Sequence, residues 1–293
     1  MHIEGFIKYL TKEKKMSKNS LEAYERDVMD FFAFEEEKGI KDLAETTNTE
    51  VVGYLLKLKN EGKSAATINR KLASTRSFFN YMQNAGIVFG NPTSGIKTPK
   101  VERKELEYLT IEEVDKLLDS PSENPRGMRD RAILELLYAT GIRVNEVIAA
   151  NVEDVNLRIG FFTCPGEHGK ARIIPIGRPA RQALERYIYD ARNMIIKDNR
   201  SEKSLFVNYY GQRMTRQGLW KVLKEYAEKG KIEHKLTPHI LRNSFAVHMI
   251  QNGADLKSLQ ELLGHEDIAA TQIYLSVTKN RIKDVYDKTH PRA

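Results

Sequence analysis

The stretch LTPHILRNSFAVHMIQNGADLKSLQELLGHEDIAATQIYLSV, residues 236–277, holds the densest group of side chains that can act on a phosphodiester. Pro238 at a predicted helix start places His239 and Arg242 three residues apart on one helix face. His265 follows a helix-ending glycine, and Tyr274 comes nine residues later. A guanidinium can grip phosphate oxygens, a histidine can carry a proton, and a tyrosine hydroxyl can attack phosphorus. Taken singly, each of these residues is more often a packing residue than a catalytic one.

Composition narrows the class of protein. The chain has 293 residues, 41% of them hydrophobic, which predicts a globular protein with about two domains. A net charge of +7 favours an acidic partner such as nucleic acid only weakly. One cysteine, Cys164, excludes an internal disulfide, and no apolar run reaches the roughly 20 residues of a membrane span, so we expect a cytoplasmic protein. Nucleotide-binding glycine loops and HExxH zinc motifs are absent from the sequence.

Residues 1–90 predict a helical domain. Apolar residues recur at three- and four-residue spacing in four segments, which start near Ile3, Ser17, Thr49 and Ser64. Residues 91–106 combine prolines, glycines and basic residues, which predicts an interdomain linker, with an ordinary surface loop as the alternative.

Residues 107–293 predict a second domain that opens on a capping box at Thr110 and Glu113. The segment DVNLRIGFFTCPGEHGKARIIPIG, residues 154–177, predicts about three short antiparallel strands, and helical periodicity resumes at Arg178. The expected fold class is therefore mainly α with a small antiparallel β-sheet, an α+β arrangement.

Four motifs, taken in order, resemble the tyrosine recombinase family, specifically its Xer-type members. They are ATGIRVNEVIAANVEDV at 139–155, PHILRNSFAVH at 238–248, LLGHEDIAATQIY at 262–274 and HPRA at 290–293. The resemblance covers essentially the whole chain. It implies a SAM-like DNA-binding domain and a catalytic domain that close on DNA as a C-shaped clamp.

The resemblance also implies a site-specific recombinase that cleaves DNA through a 3′-phosphotyrosyl intermediate, without metal, ATP or another cofactor. It implies the nucleophile Tyr274, the catalytic arginines Arg143 and Arg242, the histidines His239 and His265, and Glu146 as a buried support of the site.

Two positions depart from the family pattern. In GEHGKAR, residues 166–172, Glu167 stands where the family has the lysine that protonates the leaving oxygen. Our hypothesis is that Lys170 takes this role; the alternative is a slowed or strand-biased enzyme. Asn243 follows Arg242 where histidine is common, and we expect it to affect packing or a phosphate contact.

The partner implied by the resemblance is a double-stranded recombination site, bound by a homo- or hetero-tetramer on two duplexes. The segment 279–293 would dock in trans on a neighbouring protomer, and a second recombinase or a DNA translocase could take part. The helix from Ser64 would lie in or along the major groove. The predicted DNA contacts are Lys63, Ser64, Thr67, Asn69, Arg70, Lys71, Arg76, Lys97, Lys100, Arg103 and Lys104.

The biological role stays open between resolution of chromosome or plasmid dimers and integration or excision of a mobile element. Two other functions remain as alternatives. One is a DNA-binding architectural protein of the same fold with impaired catalysis, which Glu167 suggests. The other is a type IB topoisomerase-like enzyme.

Overall fold

The computed structural model describes residues 2–40, 42–100, 105–166, 171–197, 199–232 and 236–275. The chain forms two compact units, residues 1–104 and 105–293. Both units are built of helices, and the second also holds a three-stranded antiparallel sheet. The predicted fold class is confirmed. Within the ranges just given, no helix combines the length and the apolar character that crossing a membrane requires.

The first unit contains four helices: α1 (His2–Lys12), α2 (Lys18–Glu37), α3 (Asn48–Asn60) and α4 (Ala65–Asn84). Side-chain oxygens cap three of them, because the first backbone N–H groups of a helix lack partners within it. Ser17 caps α2, Thr47 forms a capping box with Glu50 at α3, and Ser64 caps α4.

Aromatic rings from different helices form the core of the first unit. Phe31 of α2 contacts Tyr54 of α3 and Phe79 of α4 edge-on, with centroid distances of 5.2 and 6.0 Å. Val52 and Leu56 of α3 are 38% and 54% exposed, although their segment predicts an apolar face. They lie on the other side of α3, which turns Val51, Tyr54 and Leu58 inward.

The described part of the predicted linker packs on the two units. The side-chain amide of Asn48 donates to the carbonyls of Pro92 and Ser94 at 3.2 and 3.1 Å. Arg76 donates to the Ile96 carbonyl at 2.9 Å. Residues 91–100 therefore extend the first unit, and residues 105–109 pack on the second, as described below.

The second unit begins with α5 (Ile111–Asp119), α6 (Pro125–Thr140) and α7 (Val144–Ala149). Thr110 and Glu113 form the capping box of α5. Residues 132–137 of α6 are all buried, and the helix packs against α5 and later helices. It ends at Gly141, whose φ of 58° is left-handed.

The sheet follows α7, with β1 (Val155–Asn156), β2 (Phe161–Cys164) and β3 (Arg172–Pro175) in the order β1-β2-β3. Phe162 pairs with Ile174, and Cys164 pairs with Arg172. The hairpin tip, residues 167–170, lies outside the described residues. The sheet leads into α8 (Arg178–Arg186), a π-helical turn (Tyr187–Ala191) and α9 (Arg192–Ile196).

The last described helices are α10 (Arg216–Lys229), α11 (Pro238–Gln251), α12 (Leu256–Leu263) and α13 (Ala269–Gln272). Helix α11 packs against α6 and α12. Gly264 ends α12 with a left-handed φ of 63°. The turns after α6 and α12 meet at α11, and this meeting point carries the candidate site.

Candidate active site

The turn after α6 positions Arg143. A Cβ atom at Gly141 would lie 2.4 Å from the ring of Phe245 and 2.9 Å from Leu263. Any residue other than glycine would therefore clash with these two side chains. Arg143 then precedes α7, and its backbone N–H donates to Glu146 Oε2 at 2.6 Å. Its side chain is 41% exposed, so the guanidinium keeps surface that a ligand can reach.

Arg242 reaches the same place from α11 and is buried. Its Nη1 donates to the Gly141 carbonyl at 2.5 Å, and its Nη2 donates to the Leu263 carbonyl at 2.8 Å. Burial, together with the charge of Arg143, lowers the pKa of Arg242 to about 10. The guanidinium is therefore still protonated at neutral pH.

Both arginines converge on the turn at residues 263–265. Arg242 contacts the Leu263 carbonyl and, through Nη2, the Nε2 atom of His265 at 2.8 Å. Arg143 Nη2 donates to the carbonyl of the intervening Gly264 at 3.2 Å. Two arginines and a histidine that are distant in sequence are thereby held side by side.

Glu146 lies between two arginines and is 5% exposed. Its carboxylate accepts hydrogen bonds from both terminal nitrogens of Arg172, at 2.8 and 3.0 Å. One of its oxygens also lies 3.4 Å from Arg143 Nη1. Burial acts to raise the pKa of Glu146, but hydrogen bonds from Arg172 and the Arg143 backbone outweigh it and hold the pKa below its ordinary value. Glu146 is thus an ionised anchor for both arginines.

Arg172 is the site residue that the sequence analysis missed. Besides its paired contact with Glu146, its Nε donates to the Leu262 carbonyl at 2.9 Å. A Cβ at Gly264 would meet its guanidinium at 2.9 Å, so the glycine also makes room for Arg172. The signal was the final arginine of GEHGKAR, but only the fold shows that it meets Glu146.

Tyr274 follows α13 and is 3% exposed. Its hydroxyl donates to Oδ1 of Asn243 at 3.3 Å. Burial raises the pKa of the hydroxyl, while the charges of Arg242 and Arg143 act to lower it. The tyrosine therefore lies in the field of both arginines, but it is protonated in the free protein.

His265 is held in one tautomer. Its Nδ1 lies 2.8 Å from the Thr271 hydroxyl, and its Nε2 faces Arg242, which can only donate. Nε2 is therefore the unprotonated nitrogen, and Nδ1–H donates to Thr271. Burial, with the charges of Arg242, Arg143 and Arg172, lowers the pKa of His265 to about 4, so the imidazole is neutral at pH 7.

Of the remaining predicted catalytic residues, only His239 lies within the described residues. His239 is exposed on the first turn of α11, and none of the described residues hydrogen-bonds to its imidazole. Lys170 and Glu167 lie outside the described residues. Cys164 is a fully buried residue of β2, and burial raises the pKa of its thiol to about 12. In the described part of the chain, no cluster of three or more histidine, cysteine or acidic side chains could hold a metal ion.

The predicted DNA contacts of the first unit fall into two groups. Arg70 and Lys71 both pair with Asp27, a carboxylate that is 2% exposed, and Lys71 also pairs with Asp30. The side chain of Lys71 is 8% exposed, and its ammonium neutralises these carboxylates, so the predicted DNA contact at Lys71 stays a prediction. Asn69 and Arg76 donate to the Pro99 and Ile96 carbonyls.

The remaining predicted contacts are more accessible. Lys63, Ser64, Lys97 and Lys100 are exposed, and Thr67 is half-buried in the first turn of α4. Arg103 and Lys104 lie outside the described residues.

Comparisons with known proteins show the family of the chain. The phage integrase family matches residues 107–281, and its N-terminal SAM-like domain matches residues 3–86. Tyrosine recombinase XerD of Oceanobacillus iheyensis is 44% identical, covering 99% of this chain and 98% of that protein. Tyrosine recombinase XerC of Roseiflexus castenholzii is 40% identical, covering 99% of this chain and 93% of that protein.

Solved structures share the fold. XerH site-specific recombinase in a post-cleavage complex with palindromic difH has a TM-score of 0.77 at 20% identity, covering 97% of this chain and 83% of that chain. A lambda integrase dimer bound to a core site has a TM-score of 0.72 at 18% identity, covering 93% of each chain. The chain therefore belongs to the phage integrase family, as a Xer-type tyrosine recombinase, a site-specific DNA strand-transferring enzyme.

Proposed function

We propose that this chain cleaves and rejoins DNA through a covalent bond between Tyr274 and the 3′-phosphate of the cut strand. The observation that carries the proposal is the convergence of Arg143 and Arg242 on the turn at residues 263–265. The two guanidinium groups would bind the non-bridging oxygens and stabilise the charge that grows as the phosphorus becomes pentacovalent.

The charge balance of the site supports an anionic ligand. Arg143, Arg172 and Arg242 carry three positive charges, and Glu146 carries one negative charge, which leaves two positive charges for a phosphodiester. His265 adds none, because its pKa is about 4. Binding of one phosphate would neutralise part of this charge in a site that is largely closed to water.

The proton of Tyr274 needs an acceptor when the phenolic oxygen attacks. In the free protein, the lone pair of His265 Nε2 accepts from Arg242. A phosphate oxygen that replaces this contact frees Nε2 to take the proton of Tyr274, and the resulting N–H can then donate to a phosphate oxygen. Exposed His239, one turn before Arg242, is proposed to contact the same phosphate.

The leaving 5′-oxygen also needs a proton, and we assign this role to Lys170. The O–P bond to Tyr274 forms as the bond to the 5′-oxygen breaks, and the free 5′-hydroxyl later reverses the step on a partner strand. The energy of the phosphodiester is retained, so rejoining needs no ATP. The proposed step uses no metal, because the arginines supply the positive charge that stabilises the transition state. Lys170→Ala should slow cleavage of a suicide substrate, and a bridging 5′-phosphorothioate, whose leaving group needs no proton, should restore it.

Glu167→Lys is the matched variant, because it restores the family pattern at the neighbouring position. If Lys170→Ala cleaves as fast as wild type, or if sulfur does not rescue it, the assignment to Lys170 is wrong. If Glu167→Lys cleaves faster than wild type while Lys170→Ala cleaves at the wild-type rate, the result would instead support the alternative that Glu167 slows the enzyme.

DNA binding is proposed to use both units. Ser64 caps the start of α4, where the backbone N–H groups and the helix dipole favour a phosphate. Exposed Lys63, Lys97 and Lys100 would add phosphate contacts, and Arg103 and Lys104 would continue them. Affinity should fall steeply with salt, and a flat plot of log affinity against log salt would contradict this binding mode.

The active assembly is proposed to be a tetramer on two duplexes, with residues 279–293 docked on the neighbouring protomer. Deleting residues 280–293 should leave binding to one site and abolish recombination between two sites. Retained recombination would contradict the exchange. A pull-down from the source cell tests for a second recombinase or a translocase.

We further propose a cytoplasmic role in resolving chromosome dimers. Relatives named tyrosine recombinase XerD share 40–44% identity over 99–100% of this chain, and this similarity supports the role over mobile-element integration. Mapping covalently trapped DNA on the genome tests it. A single chromosomal site is the expected result, and sites at the ends of a mobile element would contradict it.

Tyr274→Phe provides the central test. Wild type should form a covalent complex with nicked substrate, and Tyr274→Phe should bind the same DNA without forming one. A covalent complex that survives the substitution would refute the proposed nucleophile. Relaxation of supercoils without crossing over between two sites would instead indicate a topoisomerase.

A further inference from the structure

The side-chain amide of Asn243 joins two parts of the second unit. Its Oδ1 accepts a hydrogen bond from the Tyr274 hydroxyl at 3.3 Å. Its Nδ2 donates to the backbone carbonyl of Glu107 at 3.0 Å. Asn243 therefore connects the tyrosine to the chain that enters the unit.

Residues 105–109, here named the strap, are fixed along α11 at this point. The backbone N–H of Leu109 donates to the Ser244 hydroxyl at 2.8 Å. The ring of Tyr108 lies edge-on to His248, with a centroid distance of 6.3 Å. Leu106 and Tyr108 also pack against the apolar cluster that contains Tyr274. The Glu107 carbonyl is thus held in place by its neighbours.

A fixed carbonyl determines which end of the amide faces the tyrosine. Only the NH₂ group can donate to the Glu107 carbonyl, so Oδ1 points at Tyr274. Oδ1 accepts only, so the hydroxyl must donate to it. The phenolic proton is therefore directed at Asn243, and the lone pairs of the phenolic oxygen stay free of this contact. Arg242, whose charge acts on this hydroxyl, is the residue directly before Asn243.

We propose that Asn243 is a positioning residue for strand cleavage, which fixes the Tyr274 hydroxyl beside Arg242 by tying it to the strap. The inference rests on the proposed role of Tyr274 as the nucleophile. The phenolic oxygen lies on the rotation axis of the ring, so the bridge acts by limiting shifts of the whole side chain. One fixed position of the hydroxyl raises the fraction of molecules in which it can attack a bound phosphate in line.

The bridge demands a short side chain with one donor and one acceptor. A neutral histidine meets this demand, because one ring nitrogen donates and the other accepts. Alanine meets neither half, and aspartate has no donor for the Glu107 carbonyl. The structure therefore predicts that Asn243→His keeps the function and that Asn243→Ala loses it.

The test is single-turnover cleavage of a suicide DNA substrate at saturating enzyme, together with the affinity for the same DNA. Asn243→Ala should slow cleavage about tenfold with unchanged affinity, and Asn243→His should stay within about threefold of wild type. Asn252→Ala is the matched control: it removes an asparagine amide at the other end of α11, where Nδ2 donates to the His248 carbonyl at 2.9 Å, and it should cleave within about twofold of wild type.

Urea unfolding of each variant shows that it is folded in the assay. Alanine at position 243 is compatible with folding, because the position is half-buried and alanine favours a helix. Asn243→Ala cleaving at the wild-type rate overturns the inference. An Asn243→His rate as low as that of Asn243→Ala also overturns it, because equal losses would indicate a general loss of packing and not the loss of the hydrogen-bond bridge. If Tyr274→Phe still forms a covalent complex, the proposed function fails; if it does not, a failure at Asn243 concerns this inference alone.

Discussion

Glu146→Gln should destabilise the second unit by removing the negative charge that holds Arg172 and Arg143 together. The carboxylate is 5% exposed and accepts two bonds from Arg172, at 2.8 and 3.0 Å, and one from the Arg143 backbone, at 2.6 Å. An amide of the same shape presents an NH₂ group to a guanidinium, so charged donors are left buried without an acceptor. Removing one partner of a buried pair costs about 3 kcal/mol, which corresponds to about 6–12 °C in melting temperature for a unit of this size.

The pH dependence of this loss has a definite sign. The folded pKa of Glu146 lies below its ordinary value of 4.5. The stabilisation is therefore fully present above that value and is lost as the pH falls through the folded pKa. The difference between wild type and Glu146→Gln should be complete at about pH 7 and should shrink below about pH 4.5.

Glu135→Gln is the matched control on α6. Glu135 is also buried, at 6% exposure, but burial raises its pKa, and the nearby charge of Arg131 does not offset this. Its folded pKa lies above the unfolded value, so an ionised Glu135 costs stability at neutral pH, and the amide should leave stability unchanged or increase it. Urea unfolding of both variants at about pH 7 and about pH 3.5 makes the measurement. Equal losses in both variants, or a Glu146→Gln loss that does not change with pH, would refute the reasoning.

Three further perturbations test other parts of the structure. Gly141→Ala should lower the free energy of unfolding by about 2–4 kcal/mol, because φ is 58° and the new Cβ would lie 2.4 Å from Phe245. It should also slow cleavage by moving Arg143. Wild-type stability in urea would contradict this. In ¹⁵N NMR of the imidazole, His265 should show a protonated Nδ1 and no titration above about pH 5, since its pKa is about 4; a midpoint near 6.5 would contradict the contact with Arg242. Lys71→Ala should destabilise the first unit by about 3 kcal/mol without changing the salt dependence of DNA binding. Lys97→Ala should instead reduce the slope of log affinity against log salt by about 1. The reverse pattern would place the DNA contact at Lys71.

Local features of the fold could be read from the sequence. Caps such as Ser17 and the Thr110–Glu113 box act within one turn, so a few consecutive residues determine them. The four helices of the first unit and the three strands of the second follow the periodicity of apolar residues in the same way. The burial of single apolar side chains was less predictable. Periodicity indicates that a helix has an apolar face but not which other helix covers it, as the exposed Leu56 shows.

The sequence by itself determined the set and order of the reactive side chains: Arg143, then Arg242, then His265 and Tyr274 within motifs that are short and continuous. Only the tertiary structure decided which partners these side chains meet. Arg172 pairs with Glu146 across 26 residues, and Asn243 bonds to the Glu107 carbonyl across 136 residues. Lys71 is basic in sequence, yet the fold turns it onto two carboxylates of α2. The physical reason is that a side-chain contact with a distant residue depends on where the intervening chain returns, and packing of whole helices sets that path.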